Sequence, residues 1–152
     1  MKKVKTLLLA AAIGLLWSAG ARADNSALTA PVKSVYDHYL TIQASLAKDS
    51  LSGVAGNADA IAKAVQTDAK LLPAAVATEA EALARTSDLK SARAAFKPLS
   101  DSLIQYLADH KARDAYVQVY CPMARASWLP ADRHVNNPYF GQAMATCGEI
   151  QN

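Results

Sequence analysis

The chain has 152 residues, of which 52% are hydrophobic and 19% are charged, with only 6 glycines and 6 prolines. This composition excludes a disordered chain, a collagen-like chain and a coiled coil, and the length is typical of one compact domain. Four of the basic residues behind the formal net charge of +3 lie near the N-terminus. Without them, 12 basic and 13 acidic residues remain, so the charge balance does not favour binding to nucleic acid.

The first 23 residues are typical of a secretory signal peptide. Three lysines precede an apolar run over residues 7–17, and Ala21 and Ala23 provide the small side chains that a signal peptidase recognises. The run is shorter than the roughly 20 residues that cross a bilayer. We therefore expect residues 1–23 to be removed during export through the Sec pathway. Residues 24–152 are expected to form a single periplasmic domain with no membrane span.

Apolar residues at spacings of three and four predict helices along most of the following chain. The predicted helices are residues 32–47, 54–72, 74–85 and 89–106. Pro98 lies inside the last of them, where its missing N–H predicts a kink or a short break over residues 94–97. The pattern predicts an all-α fold, an up-down bundle of about four helices.

Residues 116–150 have a different character, and we call them the C-terminal cap. Alternating aromatic and β-branched residues at 116–120 predict an extended segment that lies across the bundle or pairs with the tail. The remainder is irregular and rich in proline. Asn137 before Pro138 marks the start, and Gly148 the end, of one short predicted helix. The residues expected to share a face of that helix are Phe140, Met144 and Cys147.

All sulfur-bearing side chains after Met1 fall within 27 residues of the cap. They are Cys121, Met123, Met144 and Cys147. An extended first pair and a helical second pair would each present both sulfurs on one side, so the pairs can face each other. Thiolate and thioether ligands favour Cu(I) and, by extension, Ag(I). His134 is a further candidate ligand, and Trp128 a candidate to shield the site through a cation–π contact.

The two cysteines also have a second interpretation, a disulfide between Cys121 and Cys147 formed in an oxidising compartment. Closing a loop of about 27 residues stabilises a fold by roughly 3.5 kcal/mol in the chain-entropy model. Because oxidised cysteines offer no thiolate, the disulfide and the metal site compete. In this alternative the chain is a non-catalytic interaction domain without metal. Its docking surface for a partner protein would be formed by Trp128, Tyr139 and Phe140.

Enzyme chemistry finds no support in the sequence. No nucleophile motif, haem-attachment motif, glycine-rich phosphate loop or zinc-ligand spacing is present. His38 and His110 each follow an aspartate, but both are expected on solvated helix faces. We therefore expect a protein that is not an enzyme.

Several short segments of the cap resemble the signature of an exported bacterial domain of unknown function. They are Tyr120-Cys121-Pro122-Met123-Ala124, Ser127-Trp128-Leu129, Asn137-Pro138-Tyr139-Phe140-Gly141, Met144 and Cys147-Gly148-Glu149. That domain occurs alone and also joined to adaptor proteins of heavy-metal efflux pumps. The resemblance extends more weakly over the helices. It implies a periplasmic helical domain that handles copper or silver, with the Cys-Pro-Met and Met-x-x-Cys elements as metal ligands.

Together, the residues and the resemblance predict a periplasmic accessory protein that binds Cu(I) or Ag(I) for metal efflux or resistance. A periplasmic adaptor of a heavy-metal efflux system is the expected partner. The expected ligands are Cys121, Met123, Met144 and Cys147, with His134 in support. His134 does not belong to the signature.

Overall fold

The structure is a computed structural model that describes residues 28–151. The expected signal peptide lies outside these residues. Within them, four α-helices are followed by short strands, turns and single-turn 3₁₀ helices. The helices are α1 (Ala30–Ala47), α2 (Val54–Thr67), α3 (Ala74–Ala84) and α4 (Leu89–Asp109). This arrangement confirms the predicted helical bundle with an irregular C-terminal part.

Local sequence explains where the helices begin and end. The Asp88 side chain precedes α4 and accepts a hydrogen bond of 2.9 Å from the Ser91 N–H, which satisfies a donor of the first turn. Helix α2 ends at Thr67, five residues earlier than predicted, although Leu71 and Leu72 are buried. Because these two buried leucines continue the apolar spacing of the helix, the sequence predicted helix where the backbone already turns. Helix α4 is continuous across Pro98, so of the kink or short break predicted over residues 94–97, the break is absent.

Successive helices pack against one another around an apolar core, and α1 also contacts α4. Tyr36 and Tyr39 of α1 are fully buried, and each hydroxyl has a partner on α4. The Tyr36 hydroxyl donates to the Leu103 carbonyl over 2.6 Å, and the Tyr39 hydroxyl pairs with Ser100. These bonds satisfy the polar ends of two large core side chains. Among the helices that the structure describes, none is both long and apolar enough to cross a membrane.

The cap contains a small antiparallel sheet. Its strands are β1 (Val119–Cys121), β2 (Ala126–Trp128) and β3 (Glu149–Ile150), in the order β2-β1-β3. Strand β1 pairs Val119 with Trp128 on one side and with Ile150 on the other. The extended segment predicted near residue 120 therefore pairs with the tail, as one of the expected arrangements has it, and also with β2.

The short helix expected between Asn137 and Gly148 is present as a single-turn 3₁₀ helix, Gly141–Met144. A turn over residues 138–140 precedes it. Gly141 has a φ of +55°, in the left-handed region, which interrupts a right-handed helical path. The helix predicted to extend from Asn137 to Gly148 is therefore much shorter than expected.

Arg93 of α4 joins the cap to the bundle. Its Nε donates to the Pro138 carbonyl over 2.9 Å, and its Nη2 donates to the Leu46 carbonyl at the end of α1 over 3.0 Å. The same Nη2 lies 2.5 Å from the Asp49 carboxylate. The guanidinium group on α4 thus connects the C-terminal end of α1 with the turn at Pro138 in the cap.

Asp49 completes this attachment from the other side. Its second carboxylate oxygen accepts a hydrogen bond of 3.1 Å from the Gln142 N–H, and the Gln142 side chain donates to the Ala47 carbonyl over 2.8 Å. Gly141 passes directly over the ion pair. A Cβ atom there would collide with the Asp49 carboxylate and the Arg93 guanidinium.

We expect Gly141→Ala to destabilise the protein, because it adds a collision to a φ that side chains avoid. The free energy of unfolding should fall by at least about 2 kcal/mol, measured by urea denaturation. Gly56→Ala is the matched control, since no atom lies within 4 Å of the added Cβ and the position is inside α2. That control should gain about 0.5–1 kcal/mol. A Gly141→Ala protein as stable as the wild type would contradict the packing described here.

The attachment through Asp49 should be sensitive to acid. Hydrogen bonds from Arg93 and then from the Gln142 N–H lower the pKa of Asp49 below its ordinary value of 3.8. The carboxylate therefore stabilises the folded state above pH 3.8, and this contribution is lost as the pH falls through the lower folded-state pKa. We expect the difference in melting temperature between wild type and Asp49→Asn to be largest near neutral pH and to shrink below about pH 4.

Circular dichroism melts over a pH series measure this difference. Asp59→Asn serves as the control, because Asp59 is exposed on α2 and forms no ion pair within the described residues. Parallel acid profiles for wild type and Asp49→Asn would refute the expectation.

Candidate functional site

The sheet of the cap brings the two cysteines together. Cys121 ends β1, and the β1–β3 register pairs Tyr120 with Glu149. Carried one residue further, this register sets Gly148 opposite Cys121, so Cys147 lies one residue away. Both cysteines are free, and each thiol shifts the pKa of the other, so the two side chains lie close together. The predicted proximity of the two cysteines is therefore present in the structure.

Backbone N–H groups of the β1–β2 turn point at these sulfurs. The Ala124 N–H donates to the Cys121 sulfur over 3.5 Å, and the Met123 N–H interacts with both sulfurs. The turn is closed by a bond of 3.3 Å from the Arg125 N–H to the Pro122 carbonyl. Such N–H groups favour a negatively charged sulfur because their dipoles are directed at it.

The environment shifts the two thiols in opposite directions. Burial of the Cys121 thiol by itself raises its pKa. Hydrogen bonds from the Cys147 thiol, the turn N–H groups and the Asn137 amide outweigh this and lower the pKa below the ordinary cysteine value. The pKa of Cys147 is raised, first because its thiol donates to the Cys121 sulfur and then because of burial. Of the two thiols, that of Cys121 therefore loses its proton more readily.

Asn137 connects the turn at Pro138 with the cysteines. It is fully buried, and its Nδ2 donates to the Cys147 carbonyl over 2.8 Å. Its own N–H donates to the Ala145 carbonyl over 2.9 Å. These bonds fix the backbone on both sides of residue 146, and they hold Cys147 against the end of β1.

The aromatic residues of the cap lie beneath this site. Trp128 is fully buried and contacts Tyr139 edge-to-face with 6.0 Å between ring centroids. A Cβ on Gly148 would approach the Trp128 ring and Val119 to 2.6 Å each, so the chain after Cys147 lies directly on the indole. The Trp128 indole N–H has no hydrogen-bond partner among the described residues.

This packing limits the docking surface expected in the alternative interpretation. Trp128 is inaccessible in this conformation, and Tyr139 and Phe140 are only partly exposed. The Tyr139 hydroxyl donates to the Ser127 carbonyl over 2.6 Å and is therefore occupied within the cap. The three aromatic residues pack the cap rather than form an exposed aromatic patch.

The two methionines differ in exposure. Met123, in the turn after Cys121, is 66% exposed and is one of the few large apolar side chains on the described surface. Met144 ends the 3₁₀ helix and is partly buried, and its carbonyl accepts a bond of 3.0 Å from the Cys147 N–H. Met123 is thus tied to the two sulfurs through its backbone, and Met144 is tied to Cys147.

His134 lies apart from this arrangement. Its side chain is 84% exposed, and its Nδ1 is 3.0 Å from the Asp132 carboxylate. In residues 28–151 no three side chains of His, Cys, Asp or Glu are grouped so that they could hold a metal ion. His134 and the two cysteines therefore do not form such a group. The expected set of two cysteines and two methionines contains only two side chains of these four types, because methionine is not among them.

Sequence reasoning missed three residues that shape the site. Asn137 was interpreted as the start of a helix, whereas its side chain is directed at the cysteine segment. Arg93 and Asp49 were not singled out at all, because neither belongs to a motif and 44 positions separate them. Only the lack of regular structure in the cap indicated that side chains from the bundle would have to hold it.

Comparisons with known proteins place the helical part of the chain in a family. The family model described as "Protein of unknown function (DUF3347)" matches residues 35–114. No curated protein and no solved structure matches the chain. The matched segment extends from α1 to the end of the bundle and covers just over half of the 152 residues. It stops before the cysteines, so the signature expected in the cap stays a prediction. The chain belongs to the protein family of unknown function DUF3347.

Proposed function

We propose that this protein binds Cu(I) or Ag(I) in the periplasm and serves a metal efflux or resistance system as an accessory protein. The observation that supports this proposal most directly is the closeness of Cys121 and Cys147, which the β1–β3 register brings together and which act on each other's pKa. Two adjacent sulfurs offer a soft ion the ligands it prefers over the oxygen ligands of hard cations.

The electrostatics of the pair suit a metal thiolate. Metal binding requires the cysteines to lose their protons. The N–H groups of Met123 and Ala124 already stabilise negative charge on the Cys121 sulfur. In this proposal Cys121 is the ligand whose thiol loses its proton more readily, because its pKa is lowered. Cys147 becomes the second ligand when an ion replaces its proton.

The methionines complete the proposed ligand set. Met123 carries an exposed thioether two residues after Cys121, and Met144 lies three residues before Cys147. Thioethers stay uncharged and bind soft ions at any pH, which suits them as ligands beside two cysteines. His134 remains a supporting candidate only, because it is exposed and paired with Asp132. The cellular role and an efflux adaptor as partner are supported by the resemblance of the cap motifs.

Cu(I) binding should depend on the cysteines strongly and on the methionines measurably. We expect the reduced wild-type protein to retain one Cu(I) per chain against a moderate competing chelator, followed spectroscopically. Cys121→Ser with Cys147→Ser should abolish retention. Met123→Leu with Met144→Leu should lower the affinity by about tenfold or more while preserving apolar volume.

Two controls define the test. Leu40→Met adds a thioether on α1, outside the cap, and should not change Cu(I) affinity. The proposal is wrong if the reduced wild-type protein loses Cu(I) to the chelator. It is also wrong in its ligand assignment if the double methionine variant binds as tightly as the wild type.

A second function is favoured by the same contact, because the two thiols meet without a third metal-binding side chain of His, Asp or Glu among the described residues. In an oxidising compartment they can form a disulfide that ties β1 to the tail. The protein would then be a non-catalytic interaction domain without metal. Because Trp128 is buried, its docking surface would have to lie elsewhere than on that ring.

The disulfide alternative predicts that a cysteine variant loses stability only under oxidising conditions. We expect Cys147→Ala to lower the free energy of unfolding by roughly 3–4 kcal/mol relative to the oxidised wild type. Relative to the reduced wild type the loss should be small, because Cys147 is partly exposed. Urea denaturation with and without a reductant measures both values. Equal losses under the two conditions would exclude a stabilising disulfide.

A further inference from the structure

Asn137 forms three hydrogen bonds through its side-chain amide, although it is buried in an irregular segment. Its Oδ1 accepts bonds from the Tyr139 N–H at 2.8 Å and from the Phe140 N–H at 3.2 Å. Its Nδ2 donates to the Cys147 carbonyl over 2.8 Å, and the amide also acts on the Cys121 thiol, whose pKa it lowers. Both acceptor positions of the amide oxygen and one donor position of the nitrogen are therefore used.

The two ends of the amide act on different parts of the cap. The oxygen shapes the turn that leads to Tyr139, which is a structural task that other short polar residues also perform. The nitrogen binds the backbone of Cys147 directly, and the amide also lowers the pKa of the Cys121 thiol.

We propose that Asn137 is the positioning residue of the sulfur pair, and that its amide nitrogen sets the Cys147 segment against the Cys121 sulfur. Removing this nitrogen frees the Cys147 carbonyl and takes away the effect of the amide on the Cys121 thiol, while the sheet and the turn at Pro138 keep their own bonds. Loss of the nitrogen should therefore weaken whatever the two sulfurs do together, whether they bind a metal or form a disulfide.

Two substitutions separate the nitrogen from the oxygen. Asn137→Asp keeps the acceptor for the Tyr139 N–H and loses the donor. Asn137→Ser removes the amide nitrogen without adding charge, and its shorter hydroxyl can still accept the bonds of the turn. Gln142→Ala is the matched control, since it removes another bond that attaches the cap, from the Gln142 side chain to the Ala47 carbonyl, and leaves the amide of Asn137 untouched.

Two measurements are made on each full-length protein after near-ultraviolet circular dichroism has shown a folded cap. The first is Cu(I) affinity of the reduced protein by chelator competition, which rests on the proposed function. The second is the equilibrium between the dithiol and the disulfide in glutathione buffers without metal, measured by alkylation and intact mass. The second does not depend on metal binding.

We expect both Asn137 variants to lose about 10- to 100-fold in Cu(I) affinity. The equilibrium constant for disulfide formation should fall by a similar factor, and Gln142→Ala should stay within about twofold of the wild type in both measurements. The inference is overturned if Asn137→Asp and Asn137→Ser stay within about twofold of the wild type. It is also overturned if Gln142→Ala loses as much as they do, because general loosening of the cap would then explain the effect. If the wild type binds no Cu(I), the proposed metal function fails, and the glutathione equilibrium alone decides the role of Asn137.

Discussion

The structure depends on one constraint: an irregular segment must have its backbone polar groups paired before it can be held in place. The C-terminal cap meets this constraint with side chains rather than with long ladders. Arg93 binds the carbonyls of Pro138 and Leu46, and Gln43 donates to the Asn136 carbonyl over 2.7 Å. Asn137 performs the same task inside the cap. The helical bundle thus serves as a rigid support on which these side chains are presented.

The bundle could be predicted from sequence because its signal is local. Apolar side chains three and four positions apart report which face of a helix is buried, and the residues concerned are neighbours in the chain. The errors arose where residues are buried without belonging to a helix, or where a helix continues past a residue that usually ends one. Leu71 and Leu72 are buried in a turn, and Pro98 is accommodated within α4 without ending it. Burial periodicity alone cannot distinguish these cases.

The candidate site could be predicted only in part, because most of its contacts join residues that are far apart in the sequence. The alternation over residues 116–120 indicated a strand, and strand pairing with the tail was enough to bring Cys121 near Cys147. The positions of the other groups depend on contacts between distant residues. Asp49 and Gln142 are 93 positions apart, and no periodic pattern records such a bond. The left-handed φ at Gly141 shows why the expected helix is short. A glycine in a sequence, however, does not by itself indicate which φ the backbone adopts.

The two sulfurs at the end of β1 are not equally accessible, since Cys121 is fully buried and Cys147 is partly exposed. This difference in accessibility sets the order in which a group from outside reaches the two sulfurs. An attacking thiol from outside meets Cys147 before the buried sulfur of Cys121. In the proposed metal function, a partner protein would therefore remove an ion stepwise, by replacing Cys147 with a sulfur of its own before the bond to Cys121 is broken.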